Sequence, residues 1–253
     1  LHDRYGIFHE IDTGNHPPIK QKPFNLNALR NAQVNRGLEG LVQSGLCKLG
    51  LSAWAMPVFL VAKRDNRIRL IFDARMLNKI TKTPQFPIKP VAAILQEIAM
   101  SKPKIFSILD IKAAFNNVQL SPDAQKKCAI VTMDAQYLVT RLPFGLSGAP
   151  SCFTAAISTV LCDLPRRTSG LSYCSFYMDD VIVYSRDPDS HYTDLCDVLS
   201  TIFHSGMKIL LSKAYFFRSE IELLGKKVDA DGIGPITRHL TALREYNRPT
   251  SVK

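Results

Sequence analysis

The chain contains no G-x-G-x-x-G and no G-x-x-x-x-G-K-[ST], so it has neither the glycine turn of a dinucleotide-binding domain nor a phosphate-cradling P-loop. Its six cysteines (Cys47, Cys128, Cys152, Cys162, Cys174, Cys196) form no C-x-x-C pair and have no histidine at zinc-ligand spacing. That excludes a zinc finger and a disulfide framework, and reads as reduced intracellular thiols. The longest uncharged run, Leu142 to Cys162, could reach across a bilayer, but Pro143, Gly145, Gly148 and Pro150 break its first half, so no membrane span is expected. Repeats and low-complexity tracts are absent. There is no charged-then-apolar leader, and the chain opens on Leu1, so it is expected to be a piece of a longer polypeptide. Tryptophan occurs once, at Trp54, and is read as a packing residue.

Acidic residues are also in deficit. The 253 residues hold 22 Asp and Glu against 32 Lys and Arg, a net charge of +10, with a pI near 9.4, which makes a polyanion the first partner to consider. The excess is uneven: residues 1–100 carry 14 basic and 7 acidic side chains, residues 101–200 carry 9 and 10, and residues 201–253 carry 9 and 5. A middle segment whose carboxylates cancel its cations, between two basic flanks, fits an enzyme that grips phosphates at its sides and holds metal ions at its centre. At 46% hydrophobic and 21% charged, the composition is that of a globular protein with a buried core.

Residues 1–24, with Pro17, Pro18 and Pro23, read as an extended strap. Apolar spacing predicts helices over Asn25 to Gly45, Val91 to Met100, Ser151 to Leu164 and His191 to Gly206. Met56 to Lys63 and Arg67 to Asp73 read as a hairpin turning at Asp65-Asn66, with Lys63, Arg64, Arg67 and Arg69 crowding its tip. Ile105 to Asp110 reads as a buried strand ending in a carboxylate, Tyr173 to Met178 and Val181 to Ser185 as a strand pair, and Glu220 to Val228 as strand-like. Helices mixed with mostly antiparallel hairpins predict an α+β fold, with helices on one face of a central sheet.

The most informative segment is Ser175-Phe-Tyr-Met-Asp-Asp-Val-Ile-Val-Tyr184. Two adjacent aspartates in mid-strand would bury one of them unpaired, at high cost. A tight turn at Asp179-Asp180 avoids this and presents both carboxylates at a sheet end, where Asp110 can join them. Three carboxylates make an oxygen-rich site of the kind Mg²⁺ prefers, and suit phosphoryl transfer. Asp163, Asp187, Asp189, Asp194 and Asp197 have no such placement and are expected in solvent.

Tyr177-Met178-Asp179-Asp180 resembles the Y-x-D-D box of reverse transcriptases, and Leu142-Pro-Phe-Gly-Leu-Ser-Gly-Ala-Pro150 resembles the corresponding block of gypsy-type LTR retrotransposons. Ile11-Asp-Thr-Gly14, Pro17-Pro18-Ile19, Ser52-Ala-Trp-Ala-Met-Pro57, Arg69-Leu-Ile-Phe-Asp-Ala-Arg75, Leu77-Asn78-Lys79, Leu109-Asp-Ile-Lys-Ala-Ala-Phe115, Leu224-Gly225 and Asp231-Gly232-Ile233 follow in that family's order, over almost the whole chain. Three sites depart from the pattern: the pair Ser147-Gly148 stands for a small residue plus Asn, Ala74 for an aromatic, and Met178 for the Leu or Ile more usual in gypsy elements.

The resemblance implies a right-hand polymerase, with fingers and the N-terminal strap over 1–85, a palm over 86–225 that interleaves part of the fingers, and the end of the primer-grip hairpin with the start of an incomplete thumb over 226–253. It implies that Asp110, Asp179 and Asp180, with the backbone carbonyl of Ile111, hold two Mg²⁺ ions, with Mn²⁺ as an alternative. Lys63 and Arg69 would close on the triphosphate, while Phe115, with Phe144, would pack under the incoming sugar and exclude a 2′-hydroxyl. Leu224, Gly225 and Lys226 would hold the primer end, Gly225 through close backbone approach. The activity implied is RNA-directed DNA polymerisation on a primed RNA or DNA template from deoxynucleoside triphosphates. RNase H and integrase would lie elsewhere in the parent polyprotein, which would work in the cytoplasm, within virus-like particles. An RNA-dependent RNA polymerase shares the palm, but Phe115 argues against it. A non-catalytic nucleic-acid-binding remnant is countered by three aspartates in an unbroken reading frame.

Overall fold

A computed structural model of the chain describes residues 1–62, 68–83, 85–167 and 170–236, and it divides into two compact units. The first comprises Leu1–Pro87, Ala113–Cys162 and Ser205–Met207. The second comprises Ile88–Lys112, Asp163–His204 and the chain from Lys208 onward.

The first unit is built on a five-stranded sheet in the order Cys47–Leu49, Gln136–Val139, Ile130–Val131, Met56–Ala62, Ile68–Phe72. The expected hairpin is present, with Val58 opposite Phe72 and Ala62 opposite Ile68, whereas its Asp65-Asn66 turn lies outside the described residues. The first long helix runs Ala28–Gln43, capped by the Asn27 side chain, which accepts from the Arg30 N–H at 2.9 Å. Gly37, unfavourable inside a helix, has a packing reason: a Cβ there would sit 2.5 Å from Leu70 Cδ1. The strap begins with a short helix, His2–Tyr5, then pairs Phe8–His9 in parallel with Gln119–Leu120. Trp54 is buried at 8% exposure, as a packing residue should be.

The second unit carries a four-stranded antiparallel sheet in the order Tyr215–Arg218, Ile105–Asp110, Asp180–Ser185, Cys174–Tyr177. Side chains alternate along each strand, so its two faces bury different partners. Phe106, Ile108, Ile182 and Tyr184 join Ile94, Leu95 and Ile98 of the helix Val91–Met100 in one apolar core. Ser107 and Ser185 point the other way, to His191 on the helix Pro188–His204. Helices therefore cover both faces of this sheet, not one as the sequence suggested, because its central strands are apolar on alternate and intervening positions alike.

Asp194 corrects a second expectation. It is 6% exposed, pairs with Arg167, and accepts from Ser185 Oγ at 2.6 Å. Burial, and then the charge of Arg167, push the His191 imidazole down to about 4. Its ordinary value is near 6.5, so between pH 6.5 and 4 the unfolded chain binds a proton that the folded chain refuses. Stability from this group is complete above pH 6.5 and declines as pH falls toward 4. Urea unfolding at pH 7 and pH 4.5 is expected to show this decline, and a His191→Phe protein a shallower one.

The Glu220 to Val228 stretch is a hairpin and not one strand: Glu220–Leu223 pairs with Lys226–Asp229, which pairs in turn with Gly232–Pro235.

Candidate functional site

Asp110 closes the strand Ile105–Asp110 and Asp180 opens the strand Asp180–Ser185, and the two lie directly opposite one another. Asp180 also faces Tyr177, which leaves Met178 and Asp179 as a two-residue turn. The turn thus sits one residue earlier than Asp179-Asp180, because Asp180 is held in the sheet by Asp110. Met178 adopts φ 54°, a left-handed conformation that hairpin turns usually fill with Gly or Asn. Asp179 is anchored through its backbone, whose carbonyl accepts from the Ile111 N–H at 2.8 Å. The adjoining Ile111–Ile209 bridge is closed by Leu210 N–H to Asp110 O and Lys112 N–H to Lys208 O, so that pairing leaves the Ile111 carbonyl out.

Among the described residues, Lys213 is the cation paired with these carboxylates. Lys213 Nζ lies 3.0 Å from Asp110 Oδ2, and its ammonium is pushed up by that hydrogen bond and by the charges of Asp110, Asp179 and Asp180. Burial raises the Asp180 carboxyl, the charges of Asp179 and Asp110 raise it further, and Lys213 opposes them. Among the described residues, three carboxylates therefore share the Lys213 charge. Among the described residues, no three His, Cys, Asp or Glu side chains are gathered closely enough to hold a metal ion as they stand. The donor chemistry still fits a hard divalent cation: all-oxygen ligands with surplus negative charge at a sheet end. Lys213 falls in a block of the sequence that matches the family, but nothing beside it pointed to its partner. It reaches Asp110 across 103 residues, from a short 3₁₀ turn, Leu211–Lys213.

Phe115 lies in the first unit, on the 3₁₀ turn Ala114–Asn117. Its ring meets Phe144 edge to face at 5.0 Å between centroids and Phe153 at 5.9 Å. Phe153 is fully buried and Phe144 half exposed, so the pair shows an aromatic edge above a fixed core ring. A cavity of about 580 Å³ in the same unit is lined by Phe144, Phe72, Arg36 and Arg141 among others. Lys63 and the Arg69 side chain lie outside the described residues.

The Leu142 to Pro150 block is held by Asn78, whose side chain donates to Gly145 O at 2.8 Å and accepts from Ser147 N at 3.0 Å. Gly145 takes φ 99°, which suits only glycine. Gly148 explains one departure from the family pattern: a Cβ there would lie 2.9 Å from Cε1 of the buried His9. Gly148→Ala should accordingly cost about 1–3 kcal/mol, read as a lowered urea midpoint at unchanged m-value.

Leu224 (φ 50°) and Gly225 (φ 79°) form the two-residue turn between Leu223 and Lys226. Positive φ at both positions is the type I′ pattern. A Cβ on Gly225 would meet nothing within 4 Å, so its role within this chain is conformational rather than a close approach. Leu224 and Tyr177 pack on the same apolar core, which seats this hairpin and the Met178-Asp179 turn on one support.

Residues 61–228 match the model of the reverse transcriptase (RNA-dependent DNA polymerase) family. The chain is 31% identical over 249 residues to a retrovirus-related Pol polyprotein from transposon opus of Drosophila melanogaster, covering 96% of this chain and 24% of that protein. It is 29% identical to the one from transposon gypsy of the same species, covering 87% and 21%. The chain spans about a quarter of the length of these relatives. Among solved structures it superposes on a foamy viral protease-reverse transcriptase in complex with RNA/DNA hybrid, with TM-score 0.79 at 24% identity, covering 96% of this chain and 32% of that one. The native prototype foamy virus protease-reverse transcriptase aligns with TM-score 0.73 at 28% identity, covering 86% and 28%. A palm-like sheet ending in paired aspartates, a strained Met178-Asp179 turn and a family match that covers about two thirds of the chain agree: the protein belongs to the reverse transcriptase family.

Proposed function

We propose that this chain is the polymerase region of an LTR-retrotransposon polyprotein, transferring deoxynucleotides to a primer 3′-hydroxyl under the direction of an RNA or DNA template. The observation that carries this reading is the Asp110–Asp180 pair with Asp179 in the adjoining turn, three carboxylates sharing Lys213. Asp110, Asp179, Asp180 and the Ile111 carbonyl would hold two Mg²⁺ ions, which when bound activate the attacking hydroxyl and stabilise the departing pyrophosphate.

The remaining steps belong to the chain's own groups. The sheet end fixes the aspartate backbones, so little reorganisation is needed as charge develops. Lys213, salt-bridged to Asp110 and exposed, is free to exchange that partner for a substrate phosphate. Lys63 and Arg69 would neutralise the triphosphate, Arg by a bidentate fork. Phe115 and Phe144 would bear on the sugar, and the Leu224-Gly225 turn with Lys226 on the primer. Residues 1–85 would act as fingers, 86–225 as palm, and 226–253 as the end of the primer-grip hairpin and the start of a thumb. RNase H and integrase would follow from the parent polyprotein, with the assembly acting in the cytoplasm in virus-like particles. Among the described residues, no helix is long and apolar enough to cross a membrane.

The test is incorporation of labelled dTTP on poly(rA) primed with oligo(dT). Incorporation that requires template, primer and Mg²⁺ together is expected. Incorporation without a template, or none at low salt and high protein concentration, would overturn the assignment.

A further inference from the structure

We infer that His191 is a positioning residue for the reaction, bridging the two strands that end in Asp110 and Asp180 to the strand that leads into the Leu224-Gly225 hairpin. The inference rests on the polymerase reading of the carboxylate cluster.

The hydrogen bonds around His191 admit one proton arrangement. Ser185 Oγ lies 2.6 Å from Asp194 Oδ2, and a carboxylate paired with Arg167 only accepts, so the single Ser185 hydroxyl proton goes to Asp194. Ser185 Oγ then accepts from His191 Nδ1, 3.0 Å away, and from Arg167 Nη2 at 3.3 Å. With the proton on Nδ1, Nε2 of the neutral ring is an acceptor, and it takes the hydroxyl proton of Ser107 at 2.7 Å. Ser107 Oγ in turn accepts from the Phe217 N–H at 3.1 Å. One relay runs from Phe217 through Ser107, His191 and Ser185 to Asp194, with Arg167 as its counter-charge. Burial and Arg167 keep the ring neutral, as the relay requires.

The links come from four elements, with His191 and Asp194 sharing the helix Pro188–His204. Ser107 is three residues before Asp110 and Ser185 five after Asp180, on strands paired in register. Phe217 occupies an irregularity in the third strand, where Tyr215 faces Ile108 and Arg218 faces Phe106. It takes φ 51°, its N–H serves Ser107, and its ring stands edge-on to His191 at 4.8 Å. The imidazole, with no exposed surface, thus fixes the bulge, the register of both aspartate strands and the helix Pro188–His204 at one point.

His191→Phe keeps bulk and burial but removes both hydrogen bonds. Amide hydrogen exchange in segments 105–112, 180–185 and 215–218 should rise about tenfold, while the helix Val91–Met100 stays within about twofold. Single-nucleotide addition per folded molecule should fall about ten- to a hundredfold in kcat, with template–primer Kd shifted less than about threefold. His191→Asn, whose amide can donate to Ser185, should restore part of both. Val198→Ala, a core change on the same helix that leaves the relay intact, is the control. Unchanged exchange in the three segments of His191→Phe would overturn the inference whatever the activity, as would an equal kcat loss in Val198→Ala at matched stability. Failure of the wild type to extend primers would instead count against the polymerase reading, leaving exchange to decide the relay.

Discussion

Asp110→Asn is expected to lower nucleotide addition on the order of 10³-fold while leaving folding and template–primer affinity nearly unchanged. Asn keeps the shape of the side chain and removes its charge. A metal ligand supplies several kcal/mol of stabilisation to charge developing in the transition state, and about 4 kcal/mol corresponds to that factor. Folding should hardly suffer. The Lys213 partner is mostly exposed, and such a bridge contributes little. Removing Asp110's charge also relieves Asp180, whose carboxyl should move back toward its ordinary range. A thermal midpoint within a few degrees of wild type beside a lost rate would separate chemistry from stability. A large drop in melting temperature would make Asp110 a structural residue.

Phe115→Ala should relax sugar selection. The ring is held between Phe144 and Phe153, so its edge is fixed and cannot yield to an added hydroxyl. Alanine removes that wall while the buried Phe153 maintains the core. The ratio of kcat/KM for a deoxynucleotide to that for the matching ribonucleotide is expected to fall on the order of 100-fold, mostly through improved use of the ribonucleotide. An unchanged ratio, with both substrates slowed alike, would assign Phe115 to packing alone.

The carboxylate hairpin was legible because physics forbids its alternatives: adjacent aspartates cannot both be buried in mid-strand, and Ile105 to Asp110 reads as a buried strand with a charge only at its end. The turn's position was not, since Met is a poor residue for φ 54° and only the Asp110–Asp180 pairing places it there. The hairpin at Leu224-Gly225 came from the family resemblance alone, since its turn lacks the Asn-Gly or Asp-Gly signature of its type. Asp194 was read as solvated because its partners, Arg167 and Ser185, lie 27 and 9 residues upstream. His191 and Lys213 likewise act over long sequence separations, which neither periodicity nor spacing reports. What pattern does carry is the alternation of apolar and polar positions and the cost of burying charge. Hydrogen-bonded clusters such as the serine–histidine relay exist only once the strands are paired.

Extension of a primer by one deoxynucleotide on an RNA template, with Mg²⁺, by the wild-type chain beside Asp179→Asn tests the centre most directly. Extension by the wild type and a loss on the order of 10³-fold in the variant, at equal template–primer binding, is expected. Equal extension by both proteins, or none by either, would contradict a polymerase centre built on Asp110, Asp179 and Asp180.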